Sequence, residues 1–305
     1  MFKKNFLCIL LCVAAFAVQA QVLKVVDLKT NYKTDPIGIY VSLIRFGWKL
    51  NVEKNDAVQK SYEIRISTDQ SSVLKGSGLI WSSGKIESDQ SVNVTYRGPA
   101  LKAKTRYFWQ VRVTDNYKNT TWSNVSFFET AMLTAADWQA NWIELATATN
   151  GKVMPAPVFA KQFELTKAVK SARLYVTSHG LYEAEINGKK VGNEFLTPGW
   201  TSYHKRLQYQ TYDVSTMLKS GANLTAVTIG DGWYRGNLEF NNKRNLYGKE
   251  VALLYQLEIK YTDGSNSIIV SDRSWKSSIE GPVKKSDIYN GETYDARLYQ
   301  PMPNV

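Results

Sequence analysis

From Val22 to about Thr130 apolar and polar residues alternate with period two, which restricts this stretch to half-buried β-strands. In Tyr62-Glu63-Ile64-Arg65-Ile66-Ser67 the side chains of Tyr62, Ile64 and Ile66 share one face, and Glu63 and Arg65 take the other. Tyr107-Phe108-Trp109-Gln110-Val111-Arg112-Val113 repeats the pattern, with Tyr107, Trp109, Val111 and Val113 facing inward. Clusters of Gly, Asn, Asp and Ser separate these runs, as in an antiparallel sandwich, and Phe127-Phe128-Glu129-Thr130 reads as its closing strand. No capped helix is expected in this segment.

A second β module begins near Phe159. Ala172-Arg173-Leu174-Tyr175-Val176 alternates as a strand, and Glu185-Ile186-Asn187-Gly188-Lys189-Lys190-Val191 is a hairpin about an Asn-Gly turn. Asp213 to Leu218 reads as a short capped turn, and Leu224–Ile229 and Val251–Tyr261 read as further strands. The expected fold class is all-β: a fibronectin type III-like sandwich followed by a jelly-roll-like β-sandwich. The expected bounds are 1–20 for a signal peptide, 21–131 for the first sandwich, 132–158 for a linker and 159–305 for the second sandwich, with a C-terminal truncation of the latter left open. Within the linker, Trp138 and Trp142 are expected to pack against a neighbour.

The first twenty residues read as an address. Lys3 and Lys4 precede a short apolar core, and Val18-Gln19-Ala20 places small residues at a cleavage site before Gln21, so a periplasmic or secreted product is expected. That core is too short to span a bilayer, and no transmembrane segment is expected later in the chain. Both cysteines, Cys8 and Cys12, lie in this segment, which excludes disulfides, thiolate metal sites and a cysteine nucleophile from the remainder. The formal charge of +11 comes from scattered Lys and Arg with no basic run, so nucleic acid is not an expected partner.

The inventory for catalysis is thin. His179 and His204 are the only histidines, neither has a metal-ligand partner at helical spacing, and no metal site is assigned. Glycoside hydrolysis needs two carboxylates about 5–10 Å apart across a sugar. Asp231, Glu239, Asp287, Glu292 and Asp295 fall in loop-like sequence, but each reads equally as a turn residue or a surface ion-pair member, and no catalytic pair is nominated. The chain instead carries Gly- and Pro-bounded segments rich in aromatic residues: Pro198-Gly199-Trp200-Thr201-Ser202-Tyr203 and Gly230-Asp231-Gly232-Trp233-Tyr234-Arg235-Gly236. Rings of this kind stack on pyranoses, and Arg and Asp bind hydroxyls. Asp231, Trp233, Tyr234, Arg235, Trp200 and Tyr203 are therefore the candidates for a substrate or domain interface. Trp200 and Tyr212 read first as plugs of the sandwich, whereas 233–235 read equally as structure or as a loop whose side chains project.

These segments carry a resemblance. Tyr182-Glu183-Ala184-Glu185-Ile186-Asn187-Gly188, Pro198-Gly199-Trp200-Thr201, Gly232-Trp233-Tyr234-Arg235-Gly236 and the run from Asp287 to Arg297 resemble the N-terminal β-sandwich of bacterial α-L-rhamnosidases of glycoside hydrolase family 78. Trp81-Ser82-Ser83-Gly84-Lys85-Ile86-Glu87-Ser88 with Tyr107-Phe108-Trp109 is similar to the fibronectin-like module that precedes it. The resemblance implies hydrolysis of terminal α-L-rhamnosides with inversion, by two glutamates of an (α/α)6 barrel that follows these domains. None of the barrel's sequence is recognised here, so no catalytic residue is carried over, and the chain alone is expected to be inactive. The implied partners are that barrel, in the same polypeptide, and rhamnose-containing glycans. No cofactor is assigned. A related rhamnose-binding module uses calcium, and no residue here aligns as its ligand. The rival readings are a self-sufficient carbohydrate-binding protein and a structural spacer.

Overall fold

The computed structural model describes residues 23–238 and 241–300. The expected signal peptide and Glu239 lie outside the described residues. The chain forms two compact units. One holds the stretches up to Thr34, Ile44–Pro99 and Tyr107–Phe127, and the other holds Asp35–Leu43, Ala100–Arg106 and everything from Phe128 onward. Among the described residues no helix is long and apolar enough to cross a membrane.

The first unit is built on β1 (Lys24–Thr30), β2 (Arg45–Asn51), β3 (Gln59–Ser67), β4 (Trp81–Ser82), β5 (Ile86–Glu87), β6 (Val94–Thr95), β7 (Arg106–Asp115), β8 (Thr120–Trp122) and β9 (Ser126–Glu129). A three-stranded sheet runs β1-β2-β6, and a larger one runs β4-β3-β7-β8 with β5 on β3 and β9 on β7. The inward faces are those set by the alternation: Ile64, Ile66, Trp109, Val111 and Val113 are completely buried. Phe46 meets Trp109 at 4.5 Å between ring centroids, and Trp48 donates its Nε1–H to Gln59 Oε1 at 2.8 Å within the core. One expectation fails. Helix α1 (Gln70–Lys75) stands where no helix was expected, capped by Asp69, whose carboxylate accepts from Ser72 N, and closed by Gly76 at φ 72°. A single buried residue, Val73, anchors it, so six residues suffice although they show no amphipathic period.

The second unit is a sandwich of a five-stranded and a four-stranded sheet. Its strands are β10 (Val158–Leu165), β11 (Val169–His179), β12 (Leu181–Ile186), β13 (Lys189–Lys190), β14 (Gln210–Asp213), β15 (Gly221–Gly230), β16 (Ala252–Tyr261), β17 (Asn266–Val270) and β18 (Lys276–Ser278), followed by the hairpin β19 (Val283–Asp287) and β20 (Gly291–Tyr294). The orders are β13-β12-β15-β10-β18 and β14-β11-β16-β17, antiparallel throughout. Between them lie Tyr182, Ala184 and Ile186 of β12, Val227 and Ile229 of β15, and Leu253, Tyr255, Leu257 and Ile259 of β16, all buried. The all-β class is thus the observed one. Asn187 and Gly188 both take positive φ, as the hairpin reading requires.

Residues 132–158, expected as a linker, are bonded into the second unit. Gln256 Oε1 accepts from Gln139 N at 2.7 Å, Ile143 and Leu253 exchange both backbone bonds, and Tyr209 donates its hydroxyl to Met132 O.

Candidate functional site

The site is the end of the second sandwich where β15 leaves its sheet. Asp231 and Gly232 begin a single helical turn, α2 (Gly232–Arg235), closed by the bond from Gly236 N to Gly232 O. Gly232 sits at φ 51° with its α-carbon pressed on Leu181. A β-carbon there would stand 2.4 Å from Leu181 Cγ, so both space and conformation require glycine.

The turn corrects the sequence reading of this segment. Because Asp231 and Arg235 are four residues apart on a helical turn, their side chains meet and point inward together. Arg235 is fully buried. Its Nε and Nη2 donate to Asp231 Oδ1 at 2.8 and 2.5 Å, and its Nη1 donates to Thr149 Oγ1. Asp231, also buried, takes a second guanidinium on Oδ2 from Arg244 at 2.6 Å. Neither Asp231 nor Arg235 projects to solvent. They are the internal frame of the site.

Two further carboxylates complete that frame. Burial alone would raise Asp287, yet the N–H groups of Asn237, Asn290 and Tyr289 and the nearby Arg244 charge hold it below its ordinary value. Glu250 follows the same logic: desolvation is outweighed by donors from Thr149 and Asn150 and by the Arg235 charge. A depressed folded pKa means stability that is full above the unfolded value and lost as pH falls through the folded one. The denaturation midpoint of the second unit is therefore expected to drop as pH goes down from about 4.5, the ordinary Glu250 value. Glu250→Gln should flatten part of that slope. A profile flat into strong acid, or one unchanged by Glu250→Gln, would show that these carboxylates do not hold the site.

Around this frame lies an aromatic surface. His179 is sandwiched between Trp142, at 4.2 Å and 17°, and Tyr234, at 4.5 Å and 4°. Burial lowers the His179 pKa and raises that of Tyr234. Tyr203 stands edge-on to Tyr234 and Tyr247, donates to Gly199 O at 2.9 Å, and has its phenol pushed up to about 12 by burial. Gly248 lets Tyr234 fit, since a β-carbon there would lie 2.1 Å from its hydroxyl. Trp200 lies parallel to Trp233 at 5.8 Å and donates to Tyr247 Oη. With 54% of its surface exposed, Trp200 is no plug, whereas Tyr212 is buried as one. Phe195, 80% exposed, and Leu196 and Leu246 add apolar surface in the neighbouring loops. A cleft of about 440 Å3 opens beside the turn, lined among others by Leu181, Leu196, Gly232, Glu292 and Tyr294.

The structure thus brings Asp231, Trp233, Tyr234, Arg235, Trp200 and Tyr203 into one region, in two different roles. Arg244, Thr149, Glu250, Trp142 and Tyr247 were missed; they come from distant stretches of chain, and no spacing links them to the Gly-flanked segment. Of the other carboxylates considered, Asp295 holds Arg297 at 2.7 Å and Glu292 is exposed on β20. Among the described residues no three His, Cys, Asp or Glu side chains converge as metal ligands, and Asp231 and Asp287 are already committed to guanidinium and amide donors.

Comparison with known proteins gives these domains their relatives. Residues 167–302 match the alpha-L-rhamnosidase N-terminal domain, and residues 25–134 match the Rha78A-like N-terminal immunoglobulin domain. An alpha-L-rhamnosidase of Formosa agariphila is 36% identical over 88% of this chain, which spans 30% of that relative. The solved alpha-L-rhamnosidase from Dictyoglumus thermophilum superposes with a TM-score of 0.80 at 33% identity, covering 90% of this chain and 32% of that one. The Streptomyces avermitilis alpha-L-rhamnosidase, solved with L-rhamnose, gives 0.84 at 25% identity over 91% of this chain and 43% of its own. This chain therefore spans about a third of the length of the relatives it matches. It carries the N-terminal domain pair of the alpha-L-rhamnosidase family, and by that pair it belongs to the family.

Proposed function

We propose that the chain is the N-terminal accessory part of an exported α-L-rhamnosidase-like glycoside hydrolase, packing through the aromatic end of its second unit on a catalytic (α/α)6 barrel. The observation that carries this reading is the run of exposed apolar side chains at Phe195, Leu196 and Trp200, in a chain whose relatives are about three times as long. Monomeric proteins rarely leave such a surface uncovered. A second reading, a stand-alone carbohydrate-binding protein, is favoured by two separate features, the open Trp200 ring and a cleft lined by Leu181, Leu196 and Glu292 that is large enough for one sugar.

The isolated chain is expected to show no turnover of an aryl α-L-rhamnoside. Trp200→Ala should leave its stability within about 0.5 kcal/mol, as for most exposed positions. When this chain replaces the matching region of the Formosa agariphila relative, the same change should lower the thermal midpoint and activity of the chimera. Turnover by the isolated chain, or equal effects of Trp200→Ala in both settings, would refute the accessory reading. Binding of L-rhamnose by the isolated chain, abolished by Trp200→Ala, would establish the second reading in its place.

A further inference from the structure

The first unit carries a groove of about 420 Å3 lined by residues of β4, β5 and β6. Its floor is the buried Tyr62 and Val94, and one wall is the partly exposed Trp81, whose ring is held edge-on by Tyr96 at 5.0 Å. Arg97, exposed at the rim, is close enough for its charge to act on the Tyr62 phenol against the effect of burial.

The lining offers several hydrogen-bond donors and a cation. Ser82 Oγ accepts from Gly84 N and Ser88 Oγ accepts from Gln90 N, which leaves both hydroxyl protons to donate outward. Asn93 uses its carbonyl oxygen on the Tyr32 hydroxyl, so its amide N–H groups are left as donors. Gln90 spends its amide N–H groups on Val92 O and Asn93 O, and keeps one acceptor. Among the described residues no carboxylate lines the groove. Glu87 and Asp89, on the same stretch, stand outside it, and Glu87 is paired with Lys85 at 2.6 Å. Several donors, one cation and an indole face therefore stand together in the lining.

We propose that this groove binds an acidic saccharide, with its carboxylate or sulfate ester held by Arg97 and the donors of Ser82, Ser88 and Asn93, and its ring laid against Trp81. A charge-assisted bond to guanidinium supplies the selectivity for anions, and the indole supplies the preference for a sugar over a free ion. The proposal is independent of the function assigned to the second unit.

The test is a titration of the full chain, followed through the Trp81 indole N–H resonance, with digalacturonate and galactose 6-sulfate as probes and neutral galactobiose and acetate as controls. At least one acidic sugar should shift that resonance, and its binding should weaken about tenfold in Arg97→Gln, the loss expected for a charged hydrogen bond. It should also weaken as salt is raised. Thr95→Val, in the lining but without charge, should weaken it less. Arg97 is exposed and its replacement leaves the core untouched. The proposal is overturned if neither acidic sugar binds, if galactobiose or acetate binds as tightly, or if Arg97→Gln binds like the parent chain.

Discussion

Arg235→Ala is expected to destabilise the second unit by about 3–5 kcal/mol, the usual cost of removing one partner from a buried ion pair. The guanidinium it deletes is fully buried and fills three hydrogen bonds, two to Asp231 and one to Thr149. Arg244 remains on the far oxygen of Asp231, yet the buried Oδ1 loses both of its guanidinium donors. Loss of the Thr149 contact also loosens the 149–151 segment, which Glu250 holds from the other side. Urea unfolding read by amide exchange within β15 and β16 separates this unit from the first, which one global midpoint would not. A companion change removes the ambiguity of a simple folding defect. Asp231→Asn combined with Arg235→Met takes away both charges and should recover part of the loss. A change below about 1 kcal/mol for Arg235→Ala would mean that the pair is solvated and the frame is not a frame.

In the first unit the largest single effect is expected at Trp109. Its side chain is fully buried on β7, meets the Phe46 ring at a tilt and lies opposite Ile66 in the β3–β7 register. Truncation to Ala leaves a cavity lined by rigid strand side chains that cannot collapse, at a cost of about 3–5 kcal/mol. Trp109→Phe should cost clearly less, since a ring still fills most of the space. Among the described residues the buried indole N–H has no partner, so replacing it breaks no hydrogen bond. Denaturation followed by exchange within β3 and β7 reads the effect. Near-equal losses for the Ala and Phe variants would point to the indole N–H rather than to packing.

Much of the fold was legible because strands write their burial at every second residue. Tyr62, Ile64 and Ile66, and Tyr107, Trp109, Val111 and Val113, are buried as the alternation demands. The hairpin at Asn187-Gly188 was legible for a local reason, two successive positive φ values. Helix α1 was not. Its caps, Asp69 and Gly76, are visible in the sequence, but six residues are too few to show a 3.6-residue period. The site was legible in membership and not in direction. Glycines on both sides of Trp233-Tyr234-Arg235 suggested a projecting loop, whereas Gly232 is there to let the chain press on Leu181 and start a helical turn. The i, i+4 spacing of Asp231 and Arg235 was the available sign of an inward pair. Arg244, Thr149 and Glu250 carried no such sign, because their role depends on contacts made across 13 to 101 positions of sequence.

The bonding of residues 132–158 bears on how such proteins are exchanged between genes. A recombination joint placed at Phe159, where the alternation of the second module first becomes visible, would leave behind the Ile143 bridge, the Trp142 face of His179 and the Thr149 hydroxyl that Arg235 and Glu250 share. A joint just before Met132, the acceptor for Tyr209, carries all of them along. The heritable block is thus longer at its start than its strand pattern suggests, and residues 132–158 travel with the sandwich rather than with the connection.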